Sequence, residues 1–165
     1  MTSNKESMKS LLNTMQNKSI FNVDLYSEKE DDPFKWKVLF EGPLGSIYEG
    51  GFFMVKIVFS PDYPQSRPSA YFMNRIFHPH VYIGDINNFK GDICLNIVNK
   101  DINSVLFAIL EMFNLYDKDV DHGYTWEEPA KLFKENNGRE KFIAKAKNWV
   151  RQYAKLEDID KFYDL

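Results

Sequence analysis

From Phe34 the chain alternates strictly: Phe34, Trp36, Val38 and Phe40 share one parity, and Lys35 and Lys37 lie between them. Only an extended strand puts every second side chain on one face, so the run predicts a half-buried strand whose lysine face meets water. Gly42-Pro43, Gly45-Ser46 and Gly50-Gly51 then punctuate the chain, and FFMVKIVF over residues 52–59 supplies a second apolar run of strand length. Pro61, Pro64 and Pro68 mark a loop before a third run, SAYFMNRIF over residues 69–77, because proline is excluded from the middle of a ladder. Extended runs joined by short turns predict an antiparallel arrangement over residues 34–77.

Helical spacing lies on both sides of it. Met8, Leu11, Leu12 and Met15 sit at offsets 0, 3, 4 and 7 and predict a short amphipathic helix over residues 6–17. Val105, Ile109, Met112 and Phe113 resume that spacing, with Asn103 or Ser104 as the cap. A short helix is expected over residues 126–136, with Thr125 as its cap, Pro129 confined to the first turn and Asn137-Gly138 ending it. The last begins near Arg139 and buries a stripe of Phe142, Ala146, Trp149, Val150 and Tyr153. One helix before an antiparallel sheet and the rest after it make the fold class α+β. At 165 residues the expected organisation is one domain, 1–165.

Charge narrows the partners. With 21 Lys and Arg against 24 Asp and Glu, the net charge of −3 gives no field to hold phosphate backbones, so nucleic acid is not an expected partner. No apolar stretch reaches the ~18–20 residues of a spanning helix, and the first residues lack a signal peptide's apolar core. The expectation is no membrane partner and a cytoplasmic or nuclear setting. One Cys cannot form an intramolecular disulfide, and no Cys/His cluster has zinc spacing, so neither a disulfide scaffold nor a metal is expected.

Between the sheet and the helix at Val105 lie about 24 residues with little regular pattern, a length that in compact domains usually carries function. They hold His78-Pro79-His80 and Cys94, the only thiol. Free cysteines are mostly inert packing, but a thiol on a loop with histidines upstream meets the requirement for a nucleophile. His78, beside a proline, is expected to fix a turn through backbone groups. His80 is either an N–H donor to an oxyanion developing on a thioester or a solvated loop residue. No G-x-x-x-x-G-K-[ST] loop is present, so ATP-driven acyl activation belongs to another protein and no cofactor is expected here. The chain would receive, hold and pass on an acyl group.

These residues stand in an order that resembles the ubiquitin-conjugating enzyme family over roughly residues 34–155. Trp36 leads to Gly42-Pro43 and then to Tyr48-Glu49-Gly50-Gly51-Phe52-Phe53. Asp62-Tyr63-Pro64-Gln65-Ser66-Arg67-Pro68 keeps the family's D-Y-P-x-x-P-P turn with Arg67 in place of the first paired proline. Phe77-His78-Pro79-His80 matches F-H-P-N with His80 for Asn, and Gly91-Asp92-Ile93-Cys94-Leu95 matches G-x-[IV]-C-L. The resemblance implies an N-terminal helix, a four-stranded antiparallel meander and C-terminal helices.

It also implies that Cys94 accepts the C-terminal carbonyl of ubiquitin or a ubiquitin-like protein from an activating enzyme. The modifier then passes to an amine of a protein substrate or to a ligase cysteine. His80 occupies the position of the motif Asn, assigned to oxyanion stabilisation and loop shape, and a neutral imidazole can donate only one hydrogen bond. Lys5 and Lys9 on the first helix correspond to the surface for the activating enzyme, and Pro64 and Gln65 to one loop that meets a ubiquitin ligase. The other ligase-facing loop, Trp-x-Pro-Ala, has no counterpart among Asn99-Lys100-Asp101, whereas residues 83–90 lengthen the approach to Cys94. Asp121 or His122 is nearest to the family's acidic residue that orients the incoming amine. A non-catalytic ubiquitin-binding scaffold of the same fold is the alternative reading.

Overall fold

Trp36, Val38 and Phe40 have no exposed surface, as their alternation requires. They lie on β2 (Asp32–Glu41), which pairs antiparallel with β3 (Phe52–Val58) in the register Trp36↔Ile57, Val38↔Val55 and Phe40↔Phe53. Cross-strand partners share a face, so these pairs stack apolar side chains into one wall. β4 (Ser69–Phe72) extends it through Val55↔Phe72 and Ile57↔Ala70. The computed structural model describes residues 4–18, 24–29, 32–82, 84, 88–95, 97–117 and 127–163.

The expected four-stranded meander is present as β1 (Asp24–Lys29) through β4, but the sheet is wider. Two short strands, β5 (Val81–Tyr82) and β6 (Asp92–Ile93), make it six-stranded in the order β1-β2-β3-β4-β6-β5. They were invisible to periodicity because two residues cannot display a period. The third predicted strand also stops at Phe72 rather than residue 77. Asn74 ends it: its Oδ1 accepts the Met54 N–H, and its Nδ2 donates to the carbonyls of Phe52 and Tyr153.

Helix α1 (Asn4–Lys18) packs on β1 and β2 and buries Met8 and Met15. Helix α2 (Ile102–Met112) sends Ile102, Val105, Leu106 and Ile109 into the same core as Trp36 and Phe53. It starts earlier than its apolar spacing implied, and its cap is Asp101 rather than Asn103 or Ser104. The Asp101 carboxylate accepts the Ser104 N–H and hydroxyl at 3.0 and 2.7 Å, and those bonds hold it below the usual carboxylate range.

Helix α3 (Glu127–Leu132) has Pro129 as its third residue, where no intrahelical N–H bond is lost; the expected cap Thr125 lies outside the described residues. Asn137 takes a left-handed φ of 55°, and Gly138 opens α4 (Gly138–Tyr153). A Cβ at Gly138 would lie 1.8 Å from the Leu132 carbonyl oxygen, so only glycine allows this approach. Phe142 on α4 packs against Phe77, Tyr116 and Phe133, with ring centroids 4.8–5.4 Å apart.

The second face of the sheet differs from expectation. Lys37 is buried, with 1 % of its surface exposed, because α5 (Leu156–Ile159) and the 3₁₀ turn Asp160–Phe162 fold across it. Its ammonium donates to the Phe162 carbonyl. Met54, Ile159 and Phe162 form a second apolar cluster there, flanked by Leu39, Phe52 and Met73.

Candidate active site

Gly91 is the hinge on which the irregular segment meets the sheet. Its φ is +72°, and an added Cβ would lie 1.9 Å from the Phe72 carbonyl oxygen, so no other residue fits without moving β4. Its carbonyl accepts the Phe72 N–H at 2.8 Å, and its N–H donates to Tyr82 at 2.9 Å, joining β4 to β5. From this junction β6 carries Asp92 and Ile93, and Cys94 and Leu95 follow it. Ile93 and Leu95 are half-buried against the main core, whereas Asp92 and Cys94 are exposed. The thiol is thus left at the surface between two neighbours that pack against the core.

His80 and Cys94 are brought together through the backbone, since the Cys94 N–H donates to the His80 carbonyl at 2.9 Å. That bond extends the β5–β6 register, Val81↔Ile93 and Tyr82↔Asp92, by one pair. The His80 N–H in turn donates to Nδ1 of His78 at 3.0 Å. Nδ1 must then be the unprotonated nitrogen, so Nε2 carries the hydrogen and donates to the Met112 carbonyl at 2.8 Å. A continuous chain of hydrogen bonds runs from the end of α2 through a buried imidazole to the backbone of Cys94.

His78 is fully buried, and desolvation lowers its pKa from 6.5 to about 3. It is thus neutral near pH 7 and serves the turn-fixing role its place beside Pro79 suggested. Tyr48, from the Tyr-x-Gly-Gly motif, stacks on the His78 ring at 5.9 Å and donates to the Phe77 carbonyl at 2.7 Å.

The loops on either side are tied together. Tyr63 Oη accepts the Ile102 N–H at 3.0 Å, and the Lys100 ammonium donates to the Gln65 carbonyl at 2.7 Å. Pro64 and Gln65 are exposed beside this tie, and Tyr63-Pro64 is a cis peptide. Short as it is, the connection over residues 99–101 both caps α2 and grips the preceding loop. Lys5 and Lys9 are exposed on α1, which packs on β1 and β2 away from β5 and β6. Asp121 and His122 lie outside the described residues, as do Ile83 and residues 85–87 of the lengthened stretch. Phe89 of that stretch packs against the main core.

Two residues near the thiol escaped the sequence reading. Arg67 donates to the Leu95 carbonyl at 2.9 Å, linking the Pro64–Pro68 turn to the residue after Cys94. Asp92 faces Tyr71 on β4 and Tyr82 on β5. Both line a cavity of about 310 Å³ with Pro68, Ser69, Ala70 and Tyr71, beside Ile93 and Leu95. Strand parity from Cys94 would have singled out Asp92, two residues away. Among the described residues, no three His, Cys, Asp or Glu side chains gather as a metal ion would need.

Residues 3–150 match the family model described as ubiquitin-conjugating enzyme. Solved structures agree in fold. One, described as a "putative ubiquitin conjugating enzyme from Plasmodium yoelii", has a TM-score of 0.76 and 26 % identity over 94 % of this chain and 97 % of its own. Another, the E2 domain of a ubiquitin conjugating enzyme from Toxoplasma gondii, has a TM-score of 0.73 and 29 % identity over 91 % of this chain and 99 % of its own.

Proposed function

The chain belongs to the ubiquitin-conjugating enzyme family, and from that premise we propose that Cys94 accepts ubiquitin or a ubiquitin-like modifier as a thioester and passes it on. The observation that carries this reading is the exposed thiol on a backbone fixed by His80 and anchored by Ile93 and Leu95. The Cys94 thiolate attacks the thioester presented by the activating enzyme, whose sulfur leaves as that of Cys94 bonds to the carbonyl carbon. The modifier then moves to a substrate amine or to a ligase cysteine. His80 supplies one imidazole donor toward the oxyanion in place of an amide. Lys5 and Lys9 present positive charge to the activating enzyme, and Pro64 and Gln65 contact the ligase.

The test is charging with activating enzyme, ATP and ubiquitin, with and without reductant, beside Cys94→Ala and Cys94→Ser. A reductant-sensitive adduct that Cys94→Ala abolishes and Cys94→Ser converts to a reductant-resistant ester is expected. No adduct with ubiquitin or any alternative modifier would leave the scaffold reading, which the replacement of the motif Asn by His80 favours.

A further inference from the structure

Cys94 is held differently on its two sides. Upstream, its own N–H bonds the His80 carbonyl, main chain to main chain. Downstream, no main-chain group of the described residues from Leu95 to Lys100 bonds another main-chain group. Side chains hold that stretch to the preceding loop instead. The Arg67 guanidinium donates to the Leu95 carbonyl at 2.9 Å, the Lys100 ammonium to the Gln65 carbonyl at 2.7 Å, and the Ile102 N–H to the Tyr63 hydroxyl at 3.0 Å. The pairs run in opposite directions, 67 with 95, 65 with 100 and 63 with 102, so the stretch after the thiol runs counter to the turn and is fastened to it at three points.

Arg67 is the fastening next to the thiol. The Leu95 side chain, half-buried against the main core, sets where that residue sits. A donor on its carbonyl sets the rotation of the chain leaving it, and the two together limit the backbone on the carboxyl side of Cys94. A proline at position 67, as the D-Y-P-x-x-P-P turn carries, has no side-chain donor, so this tie belongs to the replacement. Arginine suits it, with several donors on a planar head at the end of a long stem.

We propose that Arg67 is a positioning residue for the thiol: by holding the Leu95 carbonyl it keeps Cys94 in the orientation from which it meets a thioester. The inference rests on the thioester reading above and adds to it a residue that does not touch the reacting atoms. In charging, the Cys94 sulfur bonds to the modifier's carbonyl carbon as the C–S bond to the activating enzyme's cysteine breaks, and that sulfur leaves as a thiolate. The reaction proceeds only from aligned geometry, so the fraction of molecules with the thiol in place multiplies the rate at saturation. The activating enzyme is met on α1, by Lys5 and Lys9 in the reading above, so half-saturation does not follow Arg67.

The experiment uses the full chain as wild type, Arg67→Met, which keeps most of the stem and removes the donor, and Arg67→Lys, which restores a donor one atom shorter. Thioester formation is followed against the concentration of ubiquitin-loaded activating enzyme, and alkylation of the uncharged thiol by iodoacetamide is followed beside it. Arg67→Met is expected to lower the saturated rate about fivefold, the factor that one exposed charged tie supplies, with half-saturation changed less than twofold. Arg67→Lys is expected to recover at least half of the loss. Alkylation, which demands an accessible thiol but no alignment with a docked protein, is expected to change less than twofold in both. A saturated rate within twofold of wild type in Arg67→Met, a change confined to half-saturation, no recovery by lysine, or an equal loss in alkylation would each overturn the role of Arg67 while leaving the thioester reading intact. Failure of the wild type to charge would overturn both.

Discussion

On one side of β2, Trp36, Val38 and Phe40 meet a core drawn from α2, α4 and the segment after β4. On the other, Lys37 and Leu39 meet α5 and the turn that follows it. The first side is a lattice of rings in which Phe113 touches Phe40, Tyr48, Phe53 and Phe72, with centroids 5.3–6.3 Å apart. The second is closed by seven residues, and its flanks Leu156 and Tyr163 remain 53 % and 46 % exposed. The difference teaches that the candidate site is tied to the first side. Its hydrogen-bonded chain ends on the Met112 carbonyl, the last residue of α2 and itself part of the core.

The largest effect expected from breaking that contrast is in the ring lattice. Phe53→Ala removes a fully buried ring that contacts Tyr48, Phe72 and Phe113, and should cost about 3–5 kcal/mol in urea unfolding. A cost under about 1 kcal/mol would mean that the lattice closes around the gap.

Acid tests the same side through His78. Its folded pKa lies below its unfolded value, so the unfolded chain binds a proton below about pH 6.5 that the folded chain refuses until about pH 3. This contribution to stability is fully present above pH 6.5 and is lost as pH falls through that window, by about 3 kcal/mol at pH 4.5. His78→Gln should be less stable at pH 7 yet flatter between pH 6.5 and 4.5. Equal slopes for the two proteins would contradict the assignment.

The smallest effect belongs to the second side. Ile159→Ala should cost about 2 kcal/mol, at the low end for a buried aliphatic, because a four-residue helix can shift to fill the gap. Native-state hydrogen exchange should show amides of residues 156–162 opening well before those of α2, and the mutation should widen that gap. Uniform exchange across both segments would erase the distinction between the sides.

Legibility in the sequence followed the range of the interactions. The alternation of β2, the apolar run of β3 and the helix stripes are local patterns, and each was readable. Cys94 drew notice because a thiol in an irregular segment with histidines upstream is a local anomaly, and it is exposed there. The burial of Lys37 was not, since parity alone assigns a lysine to water and cannot anticipate a covering segment from elsewhere in the chain. The cap of α2 was displaced because Asp101, Asn103 and Ser104 all carry cap-competent side chains, and the choice depends on the Ser104 N–H reaching Asp101. Arg67 read as a lost proline; its link to Leu95 exists only once the turn and the segment after β6 are neighbours.

The contact between Lys37 and the Phe162 carbonyl spans 125 residues. At a synthesis rate of about 5–20 residues per second, the lysine leaves the ribosome roughly 6–25 s before its cover does. During that interval the segment that covers Lys37, Leu39 and Met54 has not yet been made.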